Sequence, residues 1–331
     1  MIFESRAFAR AGLLGNPSDG YFGKTISIIV RNFGAHVSLY ESPELQIEQQ
    51  PVDKNIFRNI YQLVETIELS GYYGGDRLVK ASIKKFCEYC DTHKIKLHGK
   101  NFTIRYNSSI PRQVGLAGSS AIITATMRAL MAFYEVEIDQ KVLPGLILEV
   151  EQEELGINAG LQDRVIQVYE GCVFMDFNKD QMATRKYGIY EQIDPKLLPN
   201  LYIAYKVNLS KVSGVVFNDV KARFEKGDAL VVDTLSEIAE VAAEGKKAIL
   251  SGDFTRLSEL INKNFDLRAK IFNISESNLE LVNTARKCGA SAKFTGSGGS
   301  IIGTYDNDET LRSLMIHLQK INARVIKPFI L

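Results

Sequence analysis

The pattern of apolar and polar positions divides the chain into a strand-rich beginning and a helix-rich end. Runs rich in β-branched and apolar side chains predict strands at 7–14, 25–31, 35–40, 101–107, 171–177 and 201–207. Apolar residues that recur every three or four positions predict helices at 54–69, 77–90, 119–134 and 139–155, and three or four more between 214 and 288. Two short strands around 293–305, a helix near 308–320 and a closing strand complete the chain. This order of elements predicts an α+β architecture.

The length of 331 residues suggests two domains, since a domain averages about 150 residues. No repeat and no low-complexity linker marks a boundary. The change in element order predicts an N-terminal domain over 1–185 and a C-terminal domain over 186–331.

Charge and hydropathy limit the classes of partner that the chain is expected to bind. The chain has 40 Lys and Arg against 39 Asp and Glu, so nothing favours nucleic acid or an anionic membrane as a partner. The longest apolar segment, 121–133, contains Arg128 and is shorter than the roughly 18 residues of a membrane span. Four cysteines without framework spacing fit a reducing compartment. We therefore expect a cytoplasmic protein that takes a small neutral or acidic ligand; its oligomeric state stays open.

The segment PRQVGLAGSSA at 111–121 opens directly into a predicted helix. Small residues allow the backbone to approach an anion, and a helix N-terminus supplies N–H groups and a positive dipole end, so the segment predicts a phosphate site. A serine at this position can also bind Mg²⁺. Taken alone, Ser119 and Ser120 fit helix caps equally well.

Two other motifs are rejected. SDGYFGKT at 18–25 has the spacing of a phosphate-binding P-loop, but Ser18 replaces its first glycine and a strand follows where the motif needs a helix. Cys87 and Cys90 form a CxxC pair on an apolar helix face, which predicts core packing rather than zinc or redox chemistry.

Two further segments carry candidate chemistry. In VEQEELGINAGLQDRV at 150–165, acidic residues stand on both sides of a glycine-containing loop, and phosphoryl transfer uses carboxylates to orient a hydroxyl and bind a metal. Singly, Glu151, Glu153 and Glu154 fit a solvated face, and Asp163 fits a helix cap. The glycines of KFTGSGGSIIG at 293–303 fit a hairpin turn.

Together with RAGLLGNPSD at 10–19, these segments resemble the motifs of the GHMP kinase superfamily in their order along the chain. PRQVGLAGSSA resembles motif two, a proline followed by GLxSSA, and KFTGSGG resembles motif three, a TGxGGG-like run. The similarity extends from near residue 10 to near 303. It implies the two-domain GHMP kinase fold, with a ribosomal-protein-S5-like α/β domain followed by a ferredoxin-like α+β domain.

The resemblance also implies roles for individual residues, with ATP and Mg²⁺ as cofactors. Asp163 is expected to be the catalytic base, with Arg10 near the transferred phosphoryl group, and Ser120 and Glu151 are expected to bind Mg²⁺. The residues expected to bind the ATP phosphates are Pro111, Gly115, Leu116, Ala117, Gly118, Ser119, Ser120 and Ala121. Those expected to bind substrate are Asn16, Asp19, Arg112, Arg164, Gly298 and Gly299.

Within the superfamily the chain is most similar to the glucuronokinases, in stretches such as RAGLLGNPSDGYFGKTIS and ELGINAGLQDRVIQVYEG. This implies ATP-dependent phosphorylation of the anomeric hydroxyl of D-glucuronate, giving glucuronate 1-phosphate and ADP. A sugar carboxylate needs a cation, and the candidates are Arg112, Arg164, Lys24 and Lys206.

Two alternatives stay open. The chain fits another GHMP sugar kinase, acting on a heptose phosphate, galacturonate, fucose or arabinose. It also fits a non-catalytic sensor that binds ATP and a sugar, although the presence of Asp163, Glu151 and Ser120 argues for catalysis.

Overall fold

The structure is a computed structural model that describes residues 1–48, 74–207 and 215–331. The helix predicted at 54–69 lies outside the described residues. By its contacts the chain divides into two compact units. The first unit comprises Met1–Ala9, Phe33–Ile110 and Ala117–Ala159, and the second unit comprises Arg10–Asn32, Pro111–Leu116 and Gly160–Leu331.

Most strands occur where alternating or apolar runs predict them, but Gln46–Glu48 and Ile189–Ile193 were not predicted. The described strands are β1 (Ile2–Leu14), β2 (Lys24–Ser42), β3 (Gln46–Glu48), β4 (Asn101–Ser108), β5 (Cys172–Asp176), β6 (Ile189–Ile193), β7 (Leu201–Lys206), β8 (Lys293–Phe294), β9 (Ser300–Thr304) and β10 (Ala323–Ile326). A 3₁₀ helix, Ser18–Tyr21, separates β1 from β2.

Most of the described helices lie where the spacing of apolar residues predicts them, but Lys179–Arg185 was not predicted, and the helix predicted at 139–155 begins only at Leu143. The described helices are α1 (Gly75–Thr92), α2 (Gly118–Tyr134), α3 (Leu143–Glu149), α4 (Gln162–Tyr169), α5 (Lys179–Arg185), α6 (Val215–Glu225), α7 (Ala229–Ser251), α8 (Phe254–Ile271), α9 (Glu276–Lys287) and α10 (Asp308–Gln319). A π-helical turn, Val150–Glu154, continues α3. None of these helices is both long and apolar enough to cross a membrane.

In the first unit, β4 pairs with two strands. The C-terminal half of β2 pairs antiparallel to it, with Val37 opposite Tyr106, and β3 pairs parallel to it, with Ile47 opposite Ile104. Helices α1 and α2 belong to the same unit, and α2 buries residues at nearly every position from Ser120 to Leu130. Such a helix is typical of a core position.

In the second unit, the N-terminal half of β2 pairs antiparallel with β5, so Ile26 lies opposite Phe174. A separate four-stranded sheet has the order β10-β7-β9-β8. Its core contains Tyr202, Phe294, Leu281 and Leu314, each at most 2% exposed. Burial of such side chains contributes about 1.5–3 kcal/mol each.

Helix α8 carries two buried polar residues whose contacts are described in the next subsections. Asp253 directly precedes it, and its carboxylate accepts a hydrogen bond from Arg256 N at 2.9 Å and so caps the helix. The buried face of the helix includes two polar residues, Asn264 and Arg268, besides Leu260 and Phe265. Buried polar groups need bonding partners, so this face indicates specific polar contacts.

Several local predictions were wrong in detail. The two strands predicted at 25–31 and 35–40 form one strand, β2, in which Gly34 N donates to Ser109 Oγ at 3.1 Å instead of forming a turn. The polar stretch before 186 contains helix α5, because the Asn178 side chain caps it. Cys90 is buried, but Cys87 is exposed rather than packed in the core.

The predicted domain boundary at 185 and 186 stays a prediction. It does not coincide with the two compact units, because residues 10–32 cluster with the C-terminal part of the chain, where Lys24–Ile28 pair with β5.

Candidate active site

Arg10 and Asp163 form a bidentate ion pair in the second unit. Arg10 lies near the end of β1, and Asp163 lies in the first turn of α4. Arg10 Nε donates to Asp163 Oδ1 at 2.6 Å, and Nη2 donates to Oδ2 at 2.8 Å. The side chains are only 5% and 16% exposed, so water screens this pair weakly.

Arg10 also joins the two glycine-rich segments. Its Nη1 donates to Gly115 O at 2.6 Å and to Thr295 O at 3.1 Å. Gly115 has φ of +71°, and a Cβ there would come within 2.8 Å of Gly298 O, so the close approach of the two loops requires glycine. The structure therefore brings three of the predicted motifs together around one guanidinium.

Asp19 lies in the 3₁₀ helix and is held by Gln162. Gln162 N donates to Asp19 Oδ2 at 3.3 Å, and Gln162 Nε2 donates to Oδ1 at 3.2 Å. Burial, and secondarily the negative charge of Asp163, raise the pKa of Asp19 to about 7. Asp19 therefore changes protonation state near neutral pH.

Arg164 contacts the same loop. Its Nη1 donates to Gly160 O at 2.7 Å and lies 3.4 Å from Asp163 Oδ2, and the side chain is 3% exposed. These contacts fix the start of α4 and place a second positive charge beside Asp163. The predicted role of Arg164 in substrate binding stays a prediction.

Asn16 is held from two sides. Asn264 Oδ1 accepts from Gly15 N at 2.7 Å, and Asn264 Nδ2 donates to Asn16 O at 3.2 Å. Lys293 Nζ donates to Asn16 Oδ1, to Gly12 O at 2.7 Å and to Phe294 O at 2.8 Å. Three acceptors match the three donors of an ammonium group. Burial, together with the charges of Arg268 and Arg10, lowers the pKa of Lys293 well below its usual range.

The turn between β8 and β9 contains Gly298 and Gly299. Gly299 N donates to Asn278 Oδ1 at 3.0 Å, and Gly299 O accepts from Lys206 N at 2.9 Å. The antiparallel pairing of β8 with β9, with Phe294 opposite Ile301, confirms the predicted hairpin. The substrate-binding role predicted for the two glycines stays a prediction.

The predicted phosphate loop passes from the second unit, Pro111–Leu116, to the first, which begins again at Ala117. Helix α2 begins at Gly118, and Ala117 takes the left-handed conformation without a side-chain cap. Neither Ser119 nor Ser120 is the N-cap residue, so the interpretation of these serines as caps is wrong. Arg112 is exposed on the loop.

In the first unit, Ser119 Oγ donates to Glu151 Oε1 at 2.7 Å, and Glu151 is fully buried. Ser120 Oγ instead lies 3.2 Å from Ala117 O. The structure therefore brings Ser119, and not the predicted Ser120, to the carboxylate of Glu151. Within the described residues no cluster of three or more His, Cys, Asp and Glu side chains fits a metal ion.

Glu153 and Glu154 do not join Glu151. Lys85 Nζ lies 2.7 Å from Glu153, and Lys84 Nζ lies 2.7 Å from Glu154. The two glutamates therefore bind lysines of α1. The interpretation as a solvated face fits Glu153, whose side chain is 59% exposed, but not Glu154, which is 15% exposed.

Four residues in these contacts were not assigned to the site from the sequence: Gln162, Asn264, Arg268 and Lys293. The only local signals were the position of Gln162 beside Asp163 and that of Lys293 at the start of the glycine segment. Asn264 and Arg268 interrupt an apolar helix face, which is a general sign of buried polar contacts.

Two family models match the chain. The one described as GHMP kinases N terminal domain matches residues 77–171, and the one described as GHMP kinases C terminal matches residues 246–315. They lie in the order in which the motifs occur.

Curated relatives match most of the chain. It is 48% identical over 308 residues to a probable glucuronokinase 2 of Arabidopsis thaliana, covering 91% of this chain and 84% of the relative. It is 45% identical over 305 residues to glucuronokinase 1 of the same plant, covering 90% and 84%.

Among solved structures, the galactokinase of Lactococcus lactis complexed with galactose is similar with a TM-score of 0.80. The match covers 99% of this chain and 93% of that one, at 15% sequence identity. At that identity the likeness establishes a shared fold alone.

Proposed function

The chain belongs to the GHMP kinase family, and we propose that it transfers the terminal phosphoryl group of ATP to the anomeric hydroxyl of D-glucuronate. It is a sugar kinase, a phosphotransferase with an alcohol group as acceptor. The products of the proposed reaction are glucuronate 1-phosphate and ADP.

The observation that carries this proposal is the ion pair of Arg10 and Asp163. The anomeric oxygen forms a bond to the terminal phosphorus as the bond from that phosphorus to the bridging oxygen of ADP breaks. Asp163 orients the hydroxyl and accepts its proton, and Arg10 offsets negative charge on the transferred group. Because Arg10 is fixed by Asp163, Gly115 and Thr295, this charge is preorganised.

The phosphates of ATP are proposed to bind at 111–121. The support is the left-handed Ala117, directly followed by helix α2, since the N-terminus of a helix favours anions. The absence of a capping side chain at Ala117 agrees with this role.

Ser119 and Glu151 fit a magnesium ion, because both present oxygen ligands and the Glu151 carboxylate is buried among protein atoms. Bound there, Mg²⁺ would neutralise phosphate charge. Ser120 was the serine predicted for this role, and the contact with Glu151 favours Ser119.

D-Glucuronate is proposed as acceptor because the two curated relatives of highest identity reported above are glucuronokinases. Asp19 is proposed to bind hydroxyl groups of the sugar, since it is a half-buried carboxyl group beside Asp163. Both ends of the Asn16 side-chain amide have protein partners, since Oδ1 accepts from Lys293 and Nδ2 donates to Phe294 O at 3.4 Å. We therefore propose that Asn16 shapes the loop rather than binding the sugar through its side chain.

The position of phosphorylation is tested by ³¹P NMR of the product formed from D-glucuronate and MgATP. We expect a phosphomonoester signal split by the anomeric proton. A product whose phosphorus couples to another ring proton would contradict the 1-kinase assignment and leave the kinase activity intact.

A further inference from the structure

Arg268 is a buried arginine beside the loop that carries Asn16 and Asp19. It lies on α8 and is only 4% exposed. Its Nη1 donates to Gly296 O at 2.8 Å. Nothing in the sequence motifs points to Arg268, because it lies outside them on a mostly apolar helix face.

Asn264 shows which way this face of α8 points. It lies one helical turn before Arg268, and it bonds to Gly15 N and Asn16 O. Residues four apart share a helix face, so Arg268 faces the same loop. Burial lowers the pKa of Arg268 to about 10, and the carboxylate of Asp19 acts in the opposite direction, which agrees with its proximity.

Two aromatic rings hold the guanidinium of Arg268 in place. Its Cζ lies 5.0 Å from the ring centroid of Phe272 and 5.2 Å from that of Phe294. Contacts of this kind stabilise a cation and limit the rotation of its long side chain. The guanidinium is therefore rigid and shielded from bulk water.

Gly296 lies between Arg268 and Arg10. Its carbonyl oxygen binds Arg268, and a Cβ on Gly296 would come within 2.8 Å of Arg10 Nη2. Arg10 in turn binds Asp163. Gly296 thus lies between the guanidinium of Arg10, which binds Asp163, and the buried guanidinium of Arg268.

We propose that Arg268 binds the carboxylate of the sugar acid and makes the site selective for a uronic acid over a neutral sugar. This inference rests on the proposed function. In a pyranose uronic acid, the carbon that bears the anomeric hydroxyl and the carbon that bears the carboxylate flank the ring oxygen. The two ends are therefore a fixed, short distance apart, as are the two arginines on either side of Gly296.

Of the four cations predicted from the sequence, Arg112 is exposed to water, which weakens a pair with a carboxylate. The other three have contacts within the protein. Lys24 forms an ion pair with Glu240 at 2.7 Å, and Lys206 lies 2.5 Å from Ser277 Oγ and 3.4 Å from Glu280. Arg164 binds Gly160 O and lies beside Asp163, where the anomeric hydroxyl of the sugar is proposed to react, and not where its carboxylate would lie.

Arginine suits this role chemically. Its planar fork binds both oxygens of a carboxylate, and such a pair is strong where water is excluded. A neutral sugar would leave the buried charge of Arg268 without this ligand, so the site would discriminate against it.

The experiment compares kcat/KM for D-glucuronate and for D-glucuronamide, which replaces the carboxylate by a neutral amide of similar shape. The wild type, Arg268→Met and Arg268→Lys are measured with MgATP. Arg256→Met is the matched control, because Arg256 lies on the same helix and pairs with Glu244 and Glu259 at the surface.

We expect the wild type to prefer the acid by at least about 30-fold, and Arg268→Met to reduce this preference below about 3-fold. Arg268→Lys should keep an intermediate preference, and Arg256→Met should match the wild type. If Arg268→Met and Arg268→Lys lower kcat/KM for the acid and for the amide by the same factor, Arg268 has only a structural role and the inference is overturned.

A failure of the proposed function gives a different result. A wild type that phosphorylates neutral sugars and no uronic acid overturns both proposals. A wild type that uses D-glucuronate, with an unchanged preference for acid over amide in both Arg268 variants, overturns the inference alone.

Discussion

Gln162 binds Asp19 with two donors, its backbone N–H and its side-chain Nε2, although the two residues are far apart in sequence. The other end of the Gln162 amide accepts a hydrogen bond from Ser27 Oγ at 3.1 Å. Gln162 directly precedes Asp163, so one short segment positions both the residue proposed to accept the proton and the residue proposed to bind sugar hydroxyls.

Replacing Gln162 by Met should therefore weaken sugar binding more than catalysis. The variant keeps the backbone donor and the side-chain length but loses the Nε2 bond to Asp19. We expect KM for the sugar to rise about 10-fold, since a hydrogen bond to a charged group is worth about 1.5–3 kcal/mol, with kcat nearly unchanged. Steady-state kinetics provides the measurement. Ser27→Ala is the control, with a smaller rise, and a fall in kcat at constant KM would contradict the role.

Gly160 leaves room for the Asp19 carboxylate. A Cβ at this position would overlap Asp19 Oδ2, whereas a Cβ on Gly20 meets no atom within 4 Å. We expect Gly160→Ala to displace Asp19 and to raise KM for the sugar at least about 10-fold, and Gly20→Ala to have little effect. Similar kinetics for the two variants would show that the position of Asp19 is not critical.

Asp163→Asn keeps the shape of the side chain but removes the proton acceptor. We expect kcat to fall by about 10²–10⁴-fold, the usual contribution of a general base, with nucleotide binding largely retained. ADP release measures the first quantity, and titration with ATP measures the second. A variant with near wild-type turnover would remove Asp163 from the proposed role.

Ser119 and Ser120 differ in their contacts, which gives a paired test of the magnesium site. Ser119→Ala should raise the Mg²⁺ concentration at half-maximal activity by about 10-fold, because Ser119 binds Glu151. Ser120→Ala should change it less, since Ser120 Oγ faces Ala117 O. A larger shift in the Ser120 variant would restore the assignment made from the sequence.

Asp19 should make stability depend on pH. Its pKa is raised from 3.8 to about 7, so the folded chain binds this proton more tightly than the unfolded chain. The protonated Asp19 therefore contributes to the free energy of unfolding at low pH, and this contribution is lost as the pH rises from about 4 through 7. Asp19→Asn lacks this titration, so its Tm relative to wild type should be higher at pH 8 than at pH 5. A difference independent of pH would contradict the raised pKa.

The sequence predicted those parts of the site that are continuous along the chain. Asp163, Arg10 and Asp19 stand in short motifs, and the structure brings these three residues together in the second unit. Asn264 and Arg268 were not assigned because their contacts depend on which helix face meets which loop, and a single sequence does not encode that directly. Lys293 was not assigned because its acceptors, Gly12 O and Asn16 Oδ1, are far from it in the sequence.

The fold was predicted to a similar extent. Most strands and helices follow from the period of their apolar residues, as in β5 and α2. The predicted break within β2 was wrong because Asn32 and Gly34 find hydrogen-bond partners in other segments, Lys327 O for Asn32 and Ser109 Oγ for Gly34, and so stay extended. The local propensity of residues 32–34 does not reveal partners that lie far away in the sequence.

The central claim is that this sugar kinase acts on D-glucuronate, and ADP release by the purified protein tests it most directly. The acceptors are D-glucuronate, D-galacturonate, galactose, glucose, arabinose, fucose and a heptose 7-phosphate, each with MgATP. We predict selective turnover of D-glucuronate. Turnover of another acceptor, with none of D-glucuronate, would contradict the claim.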